Sequence, residues 1–161
     1  TMSPENLSIL IGQWFADCKH AIERSRGLIN KFLGDGFLAY WPTARSDQSE
    51  GVVQAIEGLR AIQGRKEPRF RLVVHRGIVS VGHAGSSMGE ENMLGREVHL
   101  VFRMERLAGK LRLPCLASET AQRHLESQVA LEPVGQYELS GFDAKFRFFT
   151  LAGYRPGTGA S

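Results

Sequence analysis

The chain has 161 residues, 42% of them hydrophobic and 23% charged, with a formal net charge of +3. That length fits one domain with a real core, and the composition excludes a disordered, fibrous or bilayer-spanning chain. Cys18 and Cys115, the two cysteines, are too few for a disulfide scaffold or a cysteine-based zinc site, and no signal peptide is legible, so a reducing, cytoplasmic setting is expected.

Ser3-Pro4 reads as an N-cap followed by proline at the first helical position. Leu7, Leu10, Ile11, Trp14, Phe15, Cys18 and Ile22 then recur at helical spacing, which predicts an amphipathic helix from about Pro4 to Arg24, stopped by Gly27. Leu28 to Phe32 and Phe37 to Trp41 are apolar and rich in strand formers, and the turn Leu33-Gly34-Asp35-Gly36 between them predicts a β-hairpin. A second helix is expected from about Gly51 to Gln63, on the stripe Val52, Val53, Ile56, Leu59 and Ile62. Phe70 to Val74 reads as a strand with His75-Arg76-Gly77 at its end or kink, Ile78 to Val81 as its resumption, and Gly82 to Gly89 as a small-residue loop. After Gly95 a third helix runs from Arg96 to about Gly109; Pro114 to Ala117 is a short buried-type strand, and Ser118-Glu119-Thr120 starts a helix to about Leu125. Leu131 to Leu139 and Phe146 to Leu151 are two strands joined through Ser140-Gly141-Phe142-Asp143. Residues 1–152 are expected to form the domain and 153–161 a frayed polar tail. Helices mixed with hairpins predict an α+β sandwich with helices on a largely antiparallel sheet.

Two segments carry chemistry. Lys31-Phe32-Leu33-Gly34-Asp35-Gly36 sits at the hairpin tip, where glycine and aspartate also occur for conformational reasons alone. Asn92-Met93-Leu94-Gly95 runs through a glycine turn into the helix that holds His99 and, two turns inside, Arg103. With these two segments, the strand Arg71 to Gly77, the loop Val81-Gly82-x-x-Gly85-Ser86, Pro114 to Ser118 and the ending Leu139-Ser140-Gly141-Phe142, the chain resembles the catalytic domain of class III adenylate and guanylate cyclases. The pieces come in the family's order and cover nearly the whole chain.

The resemblance implies a ferredoxin-like αβ sandwich of the nucleotidyl cyclase type. It implies conversion of ATP to 3′,5′-cyclic AMP and pyrophosphate in intracellular signalling, assisted by two Mg²⁺ or Mn²⁺ ions. Asp35 matches one of two metal-binding carboxylates, Lys31 the residue that reads the base, and Asn92 the second base-reading position. A lysine donor suits N1 of adenine, which accepts, and opposes N1 of guanine, which donates. Arg103 matches the arginine that stabilises the transition state. The family further implies a head-to-tail homodimer with shared sites, regulatory domains in the parent chain, and no contact with nucleic acid or membrane. A ferredoxin-like RNA binder is the poorer fit, because Arg76 to Val81 offers isoleucine and valine where stacking aromatics are needed.

The structural alternatives are a solvated strand lysine for Lys31, a helix ion pair with Glu97 or Glu105 for Arg103, and a turn former for Asn92. Two departures from the family stand out. His99 occupies the position where the family has an asparagine that orients the ribose, and its imidazole is bulkier with a pH-dependent charge. The family's first strand, with the other metal carboxylate, belongs well before Asp35, so the expectation is an N-terminally truncated domain that is inactive by itself. Phe15-Ala16-Asp17 imitates the missing motif, but the helical pattern puts Asp17 on a solvated helix face. These departures keep open a second function, a degenerate cyclase-like module that dimerises or binds nucleotide without turnover.

Overall fold

The computed structural model describes residues 2–33, 36–43, 46–79 and 95–152, with only the backbone of 31–33. They fall into two compact units, Thr1–Phe70 and Arg71–Ser161.

The first unit opens with α1, Pro4–Arg24, capped as the sequence predicts: the Ser3 side chain accepts from the Asn6 amide and proline stands in the first turn. The apolar stripe is shorter than expected. Leu7 and Ile11 are 48% and 41% exposed, and the buried face starts at Trp14 and continues through Cys18, Ala21 and Ile22. Strands β1 (Leu28–Leu33) and β2 (Gly36–Tyr40) pair antiparallel, and helix α2 spans Ser49–Gln63. Trp14, Cys18, Ala21 and Ile62 form the core, with Phe15, Phe37, Leu59 and Phe70 packed on it. Gly27 does more than stop α1: a Cβ there would lie 2.5 Å from the Trp41 ring, whose indole N–H donates to the Ser25 carbonyl at 3.0 Å. Asp17 belongs to this unit's surface, as the helical pattern predicts, and pairs there with Arg65.

Cys18 is fully buried, as its place on the stripe predicts. Desolvation, reinforced by the Asp17 carboxylate and opposed by Arg65, pushes its thiol from 9.0 up to about 12. The unfolded thiol therefore ionises first. Its contribution to stability is complete below pH 9.0 and is lost as pH rises toward about 12. At pH 10 the loss is on the order of 1 kcal/mol, and Cys18→Ala should remove this part of the alkaline destabilisation, read from denaturant midpoints at pH 8 and pH 10.

The second unit is a four-stranded sheet in the order β3-β4-β6-β5, built from β3 (Leu72–Val74), β4 (Cys115–Ser118), β5 (Leu131–Glu138) and β6 (Lys145–Leu151). β3 and β4 run parallel and the other two pairings are antiparallel, as expected for a largely antiparallel sheet. β3 is shorter than the sequence predicts, and Ile78, expected in a resumed strand, is 95% exposed outside any strand. Helix α3, Arg96–Leu111, buries Leu100, Met104 and Ala108 at four-residue intervals in a core with Leu113, Leu116, Leu139 and Phe148. Helix α4, Glu119–Leu125, starts at Ser118, whose hydroxyl accepts from the Ala121 amide. No helix among the described residues is long and apolar enough to cross a membrane.

Candidate functional site

Burying Leu100, Met104 and Ala108 turns a neighbouring row of α3 outward, and that row carries Arg96, His99 and Arg103. Spaced three and four residues apart, they line one cavity of about 350 Å³ with Ser140, Gly141 and Phe142 from the β5–β6 connection. The Arg96 guanidinium lies over the Phe142 ring, 4.9 Å from its centroid, which fixes one wall.

The ion pairs weighed for Arg103 do not form. Glu105 is held by Arg71 at 3.0 Å, and Glu97 by His75 at 3.0 Å and Arg96 at 3.4 Å. Among the described residues neither the Arg103 nor the His99 side chain makes a hydrogen bond or ion pair. His99 is exposed and lines the cavity. Unpaired donors around a concave surface suit an anion, and a guanidinium matches a phosphoryl group in shape as well as charge.

The structure thus brings Arg103 and His99 together. Lys31 is placed only by its backbone, opposite Leu38 in the hairpin. Its side chain, Asp35, Asn92, His83 and Ser86-Ser87 lie outside the described residues, as does the 153–161 tail. Lys145 opens β6 opposite Glu138 and does not line the cavity. No group of three or more metal-binding side chains occurs among the described residues. Sequence reasoning passed over Arg96, although its position one turn before His99 and two before Arg103 was the available signal. Ser140 and Phe142 belong to the family-like ending Leu139-Ser140-Gly141-Phe142, but their approach to α3 depends on the fold and appears only in the structure.

No protein-family model matches the chain. Over 136 residues, 78% of this chain, it is 29% identical to the photoactivated adenylate cyclase subunit beta of Euglena gracilis, and it spans 16% of that relative's length. Its fold matches the adenylyl cyclase CyaB from P. aeruginosa with a TM-score of 0.69 at 18% identity, covering 96% of this chain and 86% of that one. The guanylyl cyclase Cya2 matches with a TM-score of 0.66 at 20% identity, covering 98% and 85%. The fold is that of class III nucleotidyl cyclase catalytic domains, and the sequence is similar to adenylate cyclases.

Proposed function

We propose that this domain, with its nucleotidyl cyclase fold, converts ATP to 3′,5′-cyclic AMP and pyrophosphate. The carrying observation is the cavity on α3, where Arg103 and His99 have no partner among the described residues and Arg96 completes a basic row. In the reaction the ribose 3′-oxygen bonds to the α-phosphorus, the bond from that phosphorus to the bridging oxygen breaks, and pyrophosphate leaves while the 3′-hydroxyl gives up its proton to water. Charge grows on phosphoryl oxygens as this happens, and Arg103 is the group we assign to meet it. His99 is assigned to donate a hydrogen bond toward the ribose or phosphate. Two Mg²⁺ or Mn²⁺ ions, with Asp35 as one of their ligands, would lower the charge on the triphosphate. Lys31 and Asn92 are proposed to read the base. The unit of function is proposed to be a head-to-tail pair of identical chains under the control of regulatory domains elsewhere in the protein.

The test is turnover with ATP and with GTP, in the presence of Mg²⁺ or Mn²⁺, by the parent protein that carries this domain, shown to be folded and dimeric, since the domain by itself is expected to be inactive. We expect cyclic AMP, with kcat/KM for ATP about ten- to a hundredfold above that for GTP, because an ammonium facing the N1–H of guanine leaves two unpaired donors. Equal values would remove Lys31 from base reading. Nucleotide binding without any cyclic product would favour a degenerate binding or dimerisation module instead.

A further inference from the structure

The first turn of α3 carries Arg96 and His99, yet its N-cap is Gly95, which makes no side-chain capping bond. A helix start without a cap leaves amide groups unsatisfied and tends to fray. What holds this turn in place is Glu97. One of its carboxylate oxygens lies 3.0 Å from His75 Nε2, and the other lies 3.4 Å from Arg96 Nη1. A carboxylate only accepts, so the imidazole Nε2 carries the hydrogen.

His75 is itself anchored. Its side chain is only 7% exposed, and Nδ1 lies 2.8 Å from the Ser118 hydroxyl. Ser118 caps α4 by accepting from Ala121, and it lies 3.0 Å from the Thr120 hydroxyl. Thr120 in turn donates to the Arg76 carbonyl at 2.6 Å. The end of β3, the start of α4 and the start of α3 therefore meet at one imidazole. Gly77 makes the meeting possible: a Cβ there would collide with the Glu97 carboxylate oxygen that binds His75.

From this geometry we infer that His75 and Glu97 are positioning residues, a pin that replaces the missing cap of α3 and holds Arg96 and His99 at the rim of the cavity for a polyphosphate. The pin itself stands on the contacts above; its effect on the ligand rests on the proposed function. The carboxylate's two oxygens divide the task, one tied to the anchored histidine and the other steering the arginine that lies over the Phe142 ring.

Gly77→Ala tests this cleanly, because it deletes no functional group and only pushes the Glu97 carboxylate away. Glu97→Ala deletes the carboxylate. Each variant, checked for fold by circular dichroism, should lose the slowly exchanging His75 Nε2 proton and shift the His99 imidazole signals in ¹H–¹⁵N spectra recorded without ligand. Each should also weaken binding of inorganic triphosphate, measured by calorimetry, by about tenfold, and the double variant should do no worse than either single one. His75→Gln, whose amide still donates to Glu97, should retain part of that affinity. Unchanged His75 and His99 signals in both single variants would overturn the pin, as would losses that multiply to about a hundredfold in the double variant. Failure of the wild-type chain to bind triphosphate would instead count against the proposed function, with the pin still decided by the spectra.

Discussion

Replacing Arg103 by alanine is expected to lower kcat for cyclisation by about 10²- to 10³-fold while KM for ATP changes little. The split follows from the role. A guanidinium aimed at charge that appears only in the transition state adds little to ground-state binding, whereas Arg96 and the ions of the proposed reaction would address the triphosphate tail throughout. Lysine at this position should recover only a small part of the rate, since an ammonium cannot reproduce the planar two-point contact. An unchanged kcat would remove Arg103 from the reacting atoms. If the site is shared between two chains, with Asp35 from one and Arg103 from the other, two inactive variants should rescue each other. Mixing Asp35→Ala with Arg103→Ala, with subunit exchange verified, should restore about a quarter of wild-type activity, because about half the pairs are mixed and each has one intact site of two. No recovery would place both residues in a site built by one chain.

What the sequence made legible was whatever depends on local pattern. Ser3-Pro4 and the apolar spacing that follows placed α1, and Gly95 marked the start of α3, whereas its buried row of Leu100, Met104 and Ala108 appears only in the structure. Where the pattern misled, the reason is tertiary. Leu7 and Ile11 continue the stripe of α1, but the core of the first unit begins only at Trp14. Ile78 and Val79 read as strand formers, but strand pairing ends with Val74 against Ala117, and His75 is diverted into side-chain bonds. Arg103 and His99 stood out because family spacing and helical spacing agree on them, and the structure puts both on one cavity. The link from His75 to Glu97 was not, since 22 residues separate the partners and neither has a local reason to pair. Gly77 shows the same limit: its need for a bare Cα appears only once Glu97 has a fixed place.

Phe148→Ala is expected to cost about 3–5 kcal/mol, a large share of the roughly 5–15 kcal/mol that stabilises an ordinary domain. Phe148 is 1% exposed, stacks with Tyr137 and Phe146 at 6.5 and 6.2 Å, and shares its core with Leu100, Met104 and Ala108 of α3. Removing the ring empties the seat of the helix that carries Arg103, whereas Phe148→Leu should be milder because much of the volume remains. Thiol labelling separates the consequences, since Cys115 is buried in the second unit and Cys18 in the first. In Phe148→Ala, Cys115 should become reactive at a lower denaturant concentration than in the wild type, and activity should fall in step with that opening. Arg103→Ala should show the opposite signature, with activity lost while the Cys115 labelling curve stays where it was. A Phe148→Ala protein with wild-type Cys115 protection would mean that the core around α3 repacks without the ring, and that the seat of Arg103 does not depend on it.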